Sequence, residues 1–205
     1  MRRVLIFLPL LLLPLAPPAA TASERFDAVR ERAEPLPSLA GFLDRYVGDC
    51  KEGPERRTCE ENVLAARRAF SGKAFHARMG QVMELLRVEL RGNRFRIFFT
   101  PFVDGGRGYA LTRGAPTGQD AAGRPRIPFL LLEGTLPADR TDLEFQGPFR
   151  TGNVELEVVF RPEGIWKMKR RDAGHYQGVK ARFLAVRLVD PRTGAEIASR
   201  VLSGG

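Results

Sequence analysis

Histidine and cysteine are almost missing from this 205-residue chain, two of each, and the chemistries that depend on them go with them. His76 and His175 have no second ligand at a recognisable spacing, which removes the usual zinc sites. There is no G-x-S-x-G elbow, no H-E-x-x-H helix, no S-x-x-K and no G-x-x-x-x-G-K-S/T loop, so the familiar nucleophilic, metallohydrolase and nucleotide-binding motifs are absent. No D-x-D-x-D-G loop supports a calcium site on Asp104 and Asp120. Long apolar runs are missing too. The one extended stretch, residues 4–16, is interrupted by Pro9 and Pro14 and followed by Pro17 and Pro18, and it is shorter than the roughly 20 residues a membrane span needs.

What that stretch does fit is an export leader. Arg2 and Arg3 form a short positive n-region, residues 4–16 the apolar segment, and Ala20-Thr21-Ala22 a small-residue cleavage site. Residues 1–22 are read as a signal peptide, with the mature chain beginning at Ser23 and no transmembrane anchor left after cleavage. The first cysteine, Cys50, is too far downstream for a lipoprotein. The Arg2-Arg3 pair lacks the longer polar lead-in of twin-arginine signals, so general secretion to the periplasm or the exterior is the expectation.

Removing the leader leaves 183 of the 205 residues, enough for one domain with its own core. Of the 33 basic residues, the 31 outside the leader oppose 24 acidic ones, a formal +7. Lysine occurs only at Lys51, Lys73, Lys167, Lys169 and Lys180, so the basic character is arginine. That bias reads equally as codon usage or as an anion-binding surface. Export takes nucleic acid off the list of expected partners and leaves an anionic envelope component or a protein partner. Cys50 and Cys59, an even pair in an exported chain, are expected to form a disulfide, constraining the unfolded chain by about 2.5–3 kcal/mol.

The order of elements suggests an α+β protein, with a short disulfide-clipped helical N-terminal region followed by an antiparallel β-sandwich or barrel. The expected division is residues 23–76 helical and 77–205 β. Phe26, Val29, Leu36, Leu39, Phe42, Leu43, Tyr46 and Val47 recur at helical spacing, interrupted by Pro35 and Pro37. Thr58 and Glu61 read as a capping box opening a further helix that Gly72 ends. The period then becomes two. Leu86, Val88 and Leu90, a Gly92-Asn93 turn, and Phe95, Ile97 and Phe99 predict a hairpin with one wet face. Further strands are expected over 109–112, 128–133, 143–146, 154–161, 165–171, 179–189 and 195–202.

Two of these hairpins carry specific expectations. Pro162-Glu163-Gly164 reads as a turn, which would set Glu155 and Glu157 across from Lys167 and Lys169. Asp190-Pro191-Arg192-Thr193-Gly194 reads as a second turn, and Phe183, Leu184, Ala185 and Val186, apolar on both faces, mark a central strand. Two groups of candidate site residues follow. Trp166, Lys167, Lys169, Arg170 and Arg171 form a candidate anion patch, and Asp104, Arg107, Arg113, Asp120 and Arg124 a candidate site in the long 100–128 loop region. Ordinary turn chemistry and charge pairing account for the same residues. No catalytic residue, cofactor or metal is assigned.

Several runs also look familiar together: Phe26-Asp27-Ala28-Val29-Arg30, Thr100-Pro101-Phe102-Val103-Asp104-Gly105-Gly106, Phe160-Arg161-Pro162-Glu163-Gly164-Ile165-Trp166, and Gly178-Val179-Lys180-Ala181-Arg182-Phe183-Leu184-Ala185-Val186. Through them the chain resembles, almost end to end, a small uncharacterised family of exported bacterial proteins, a domain of unknown function. The resemblance brings no activity or site. The expectation is a non-catalytic binding or structural component of the bacterial cell envelope. The alternatives are a carrier of lipid or another small apolar ligand, lined by Phe95, Phe98, Phe99 and Phe129, and a hydrolase built on paired carboxylates.

Overall fold

In the computed structural model, residues 21–79, 87–100, 108–136, 140–170 and 174–202 are described. Residues 1–20, which hold most of the expected leader, and Leu86, Asp104, Arg107 and Arg171 lie outside the described residues.

Helix α1 (Ala22–Arg30) starts on a reciprocal cap: the Thr21 hydroxyl accepts the Glu24 N–H, and the Glu24 carboxylate accepts the Thr21 N–H. The chain then passes through the two-residue strand β1 (Glu34–Pro35) into α2 (Leu39–Val47), capped by Ser38. The break between the helices falls at the prolines, as expected. Helix α2 buries Leu39, Phe42, Leu43, Tyr46 and Val47. It ends at Gly48, where φ is +63° and a Cβ would lie 2.1 Å from Val63 Cγ2. Any larger residue would push away α3 (Arg56–Phe70). The Cys50–Cys59 disulfide closes the turn between α2 and α3. Arg67 strengthens that junction by donating to the exposed C-terminal carbonyls of α2, at Tyr46 (2.8 Å) and Val47 (3.0 Å).

The expected Thr58–Glu61 cap does not form. Helix α3 begins two residues before Thr58, with no side-chain cap. Glu61 pairs instead with Arg57, one helical turn back.

Strand β2 (Phe75–Met79) begins two residues inside the expected helical region and continues past its boundary at residue 76. The hairpin β3 (Arg87–Arg91) and β4 (Arg94–Phe99) has the expected turn at Gly92-Asn93. After β5 (Tyr109–Arg113) and β6 (Leu130–Thr135) comes a helix, α4 (Asp142–Arg150), in place of the expected strand over 143–146. Its cap was present in the sequence: Thr141 and Glu144 satisfy each other's backbone N–H groups. Phe145 is thereby buried against Phe95, with ring centroids 4.8 Å apart.

The largest correction concerns Pro162-Glu163-Gly164. The chain does not turn there. β7 (Glu155–Lys169) runs straight through, paired along its length with β8 (His175–Val189), and register shifts at Val159/Phe160 and Pro162/Gly164 mark bulges. A proline is tolerated in a strand at a bulge, and β2 pairs β7 no further than Phe160. Glu157 therefore faces Arg187, and Lys167 faces Gln177. Glu155 and Glu157 are not paired with Lys167 and Lys169. The second expected turn does form, joining β8 to β9 (Glu196–Val201), and β8 is central.

The main sheet has the order β1-β2-β7-β8-β5, with β9 beside the second half of β8, and β3-β4-β6 forms a smaller sheet. The α+β class stands. The small sheet is antiparallel, while the main one is mixed, because β1 runs parallel to β2 and β5 parallel to β8. One core is shared by α2, the inner face of the main sheet, Ile97, Phe99 and Leu132 of the small sheet, and Phe145 of α4. Helix α1 covers the other face of the main sheet, burying Phe26 against Val159 and Ala185.

Candidate functional site

Cross-strand registers place charged side chains in rows, and three rows differ in what they leave available. On the face of the main sheet beneath α1, Arg78 of β2, Glu157 of β7 and Arg187 of β8 lie directly opposite one another. Glu157 is 1% exposed. Its Oε1 accepts from Arg78 Nη2 (2.6 Å) and Nε (3.1 Å), and its Oε2 from Arg187 Nη2 (2.5 Å) and Nε (2.9 Å). Arg187 also reaches Asp27 of α1 at 3.1 Å and lies over the Phe26 ring, 4.3 Å from its centroid. His76 Nε2 stands 3.9 Å from Glu157 Oε2, beyond hydrogen-bond reach. The neighbouring His76, with Arg187 and Arg78, holds the Glu157 carboxyl far below the usual carboxylate range, against the burial that pushes it up. Each oxygen of this carboxylate accepts two hydrogen bonds from an arginine that another strand supplies. That is a structural ion cluster, the reverse of a proton-donating acid.

The outer face of the small sheet inverts the pattern. Glu89, Arg96 and Glu133 lie opposite one another on β3, β4 and β6. Arg96 Nε donates to Glu133 Oε1 at 2.9 Å, and Arg96 Nη1 approaches Glu89 Oε2 at 3.8 Å. Arg87 pairs with Glu89, and the guanidiniums of Arg87 and Arg96 lie over the Phe98 ring.

The third row is Arg91, Arg94 and Thr135. Like charges face each other across the hairpin end, an arrangement that costs stability. Neither arginine has an acidic partner among the described residues, and both are exposed. They open onto a groove of about 500 Å³ lined by Glu89, Arg91, Arg94, Phe95, Arg96 and Glu133 with Gly134 and Thr135. A second groove, of about 360 Å³, is lined by Ala22, Arg25, Glu133, Ser199, Arg200 and Val201. Glu133 lines both. The first groove is a trough lined by three arginines and two glutamates, and the second shares Glu133 with it and brings Arg25 and Arg200. Planar guanidiniums with free donors suit the oxygens of phosphate, sulfate or carboxylate.

The residues singled out from sequence are dispersed. Trp166 is buried, donating to Thr112 Oγ1 at 2.9 Å and packing with Ala110 and Ile127. A Cβ at Gly178 would fall 2.6 Å from the Trp166 ring, so glycine there makes room for the indole. Lys167 and Lys169 alternate with it along β7 and are exposed, while Arg170 stacks on Tyr176. In the loop, Asp120 and Arg124 are partners in a turn: Asp120 Oδ1 accepts the N–H groups of Ala122 and Arg124, and Oδ2 accepts Arg124 Nε at 3.0 Å. Arg113 is exposed at the end of β5. Sequence reading had not singled out Arg91 or Arg94, although the two-residue turn sets them opposite each other. Arg25 and Arg200 come from distant segments, and no local signal joins them to the hairpin.

The fold and this trough define an α+β protein with a disulfide-clipped helical start, a curled mixed sheet and a cationic outer face. The chain belongs to the family of unknown function DUF6066, whose signature matches residues 1–202. No curated protein and no solved structure matches it. Among the described residues, no helix is long and apolar enough to cross a membrane.

Proposed function

We propose that the protein is exported and acts without catalysis, as a component of the bacterial cell envelope that binds an anionic partner in the trough around Arg91 and Arg94. The observation that carries this reading is the opposed, unpaired arginine row. In the Arg78–Glu157–Arg187 and Glu89–Arg96–Glu133 rows arginines face acids across the sheet, and where Arg161 faces Arg182 on β7 and β8, Glu163 accepts from Arg182 at 3.1 Å. A row that keeps two like charges together exposes donors that a ligand can satisfy. The leader pattern of residues 1–22 and the Cys50–Cys59 disulfide support an oxidising, extracytoplasmic location.

The two other readings find less support. Phe95 and Phe99 belong to the buried core, with Phe95 also at the floor of the groove, Phe98 lies under guanidiniums on the opposite face, and Phe129 is 58% exposed, so these rings do not line a common cavity. A carboxylate-pair hydrolase needs an acid whose pKa is raised, and the deeply buried Glu157 is shifted the other way. The direct test is co-sedimentation of the exported protein with isolated envelope fractions at low and high salt, beside the R91Q/R94Q variant. We expect salt-released binding that the variant loses. Equal sedimentation of the two proteins would sink the assignment to this trough.

A further inference from the structure

The trough ends at the Gly92-Asn93 turn, and what stands there is more specific than positive charge. Arg91 and Arg94 flank the turn as directly opposed partners, and Thr135 of β6 stands opposite Arg94. Opposed residues on paired strands have Cα atoms about 5 Å apart, and all three side chains line the same groove, so two long guanidinium arms and a hydroxyl can close on one small group. All three residues are exposed. Among the described residues, none of their side chains takes part in a hydrogen bond or an ion pair. The next row along the strands lies about 7 Å away and holds Glu89, Arg96 and Glu133, with Arg96 Nε already given to Glu133 at 2.9 Å. Arg91 and Arg94 sum to +2, and the row beside them, two glutamates and one arginine, to −1. A ligand carrying anions in series along the face would set its second charge over the glutamates. The pattern suits one compact anion at the end of a ligand.

We infer that Arg91, Arg94 and Thr135 form a binding site for a terminal phosphomonoester. The inference rests on the reading of the trough as an anion site and names the chemical class of the anion. Near neutral pH a phosphomonoester carries close to two negative charges on three strong acceptor oxygens. The site offers two positive charges and three donor groups. Arginine keeps its charge at every pH a folded protein meets, and its planar fork can take two oxygens of one group at once. Other oxyanions fall short on charge, on oxygens or on both: a carboxylate and a phosphodiester each bring one charge and two free oxygens, and a sulfate ester three oxygens with one charge. The rest of the groove, about 500 Å³ in all, leaves room for the organic body of the ester.

The test is a ligand-observed NMR titration of the purified protein with three probes that share an aromatic body: phenyl phosphate, phenyl sulfate and methyl phenyl phosphate, a diester. Phenyl phosphate should bind about tenfold more tightly than the other two. Its binding should weaken from about pH 7.5 to about pH 5.5, as the monoester gives up its second charge, while that of phenyl sulfate stays level. R91Q/R94Q should lose about tenfold or more in affinity and T135V about threefold, and K167Q/K169Q, on β7, should leave it unchanged. Far-UV circular dichroism and the thermal midpoint verify that each variant is folded, and having two independent site variants keeps the test decisive if one of them is not. Glucose 1-phosphate and vesicles containing phosphatidic acid then separate a soluble monoester from a lipid-borne one, and binding of either supports the site. Phenyl sulfate or the diester binding as tightly as phenyl phosphate would overturn the phosphomonoester and leave a less selective anion site. Phenyl phosphate binding indifferent to both R91Q/R94Q and T135V would overturn the location. Failure of all three probes to bind would overturn the anion reading as well.

Discussion

The two sheets each carry a three-strand row of charge, and the rows are mirror images. On the main sheet a glutamate stands between two arginines, Arg78–Glu157–Arg187, and on the small sheet an arginine stands between two glutamates, Glu89–Arg96–Glu133. The difference lies in what covers them. Helix α1 packs beside the first row and adds Asp27 to it, and Glu157 is sealed at 1% exposure. The second row is open to solvent, with Arg96 and Glu133 about half exposed. A buried row must be complete, because an unpaired charge there has no water to fall back on. An open row can lose a member, and the neighbouring Arg91–Arg94 row lacks acids altogether. Completeness under cover marks structure, and incompleteness in the open marks a surface with donors to spare.

The sharpest way to break the comparison is to neutralise each centre. Glu157→Gln leaves Arg187, itself only 12% exposed, without its main counter-ion, and should destabilise the fold by about 3–5 kcal/mol in urea denaturation. The pH dependence follows from the same carboxylate. Its folded pKa is depressed below the ordinary 4.5, so its contribution is complete above that pH and is lost as the pH falls below it toward the folded value. The wild type should therefore show an acid limb in stability below about pH 4.5 that Glu157→Gln lacks. Parallel acid limbs in the two proteins would show that the cluster does not govern acid stability.

Asp27→Asn probes the cover rather than the centre. It weakens the α1 contact with Arg187, and a loss of about 1 kcal/mol is expected for this half-buried charged hydrogen bond. The loss should be accompanied by faster hydrogen exchange in α1 ahead of the core strands. Arg96→Gln, the counterpart of Glu157→Gln on the open sheet, should cost about 0.5 kcal/mol. A cost approaching that of Glu157→Gln would erase the distinction between the two rows.

How much of this could be read from the sequence depends on whether the deciding interaction was local. The Gly92-Asn93 hairpin, the turn at 190–194 and the apolar stripe of α2 are short-range patterns, and each forms where expected. Pro162-Glu163-Gly164 has the composition of a turn and serves as a bulge. What decides between them is the equally long β8 lying alongside, which a local pattern does not contain. Residues 141–144 were legible and misread: the Thr141-x-x-Glu144 cap is as clear as the Thr58-x-x-Glu61 pattern that did not form. Four residues are too few for alternation to outweigh a cap. The Arg78–Glu157–Arg187 row needs β2 paired with β7, 79 residues further along the chain, and no local pattern carries that pairing. The trough sets the hairpin end beside β6, and the neighbouring groove sets the start of α1 beside β9, neighbours that only the tertiary fold brings together.

The smallest effect on stability is also the most discriminating. In R91Q/R94Q the opposed positive charges disappear, no buried partner is stranded, and the cross-strand repulsion between them is relieved. The thermal midpoint should stay the same or rise slightly. If these arginines were structural, as Arg187 is, their loss would lower it. Unchanged or raised stability together with weakened binding to an anionic partner would separate the two roles that arginine plays here. A clear fall in stability would place the third row with the first and make the trough part of the scaffold.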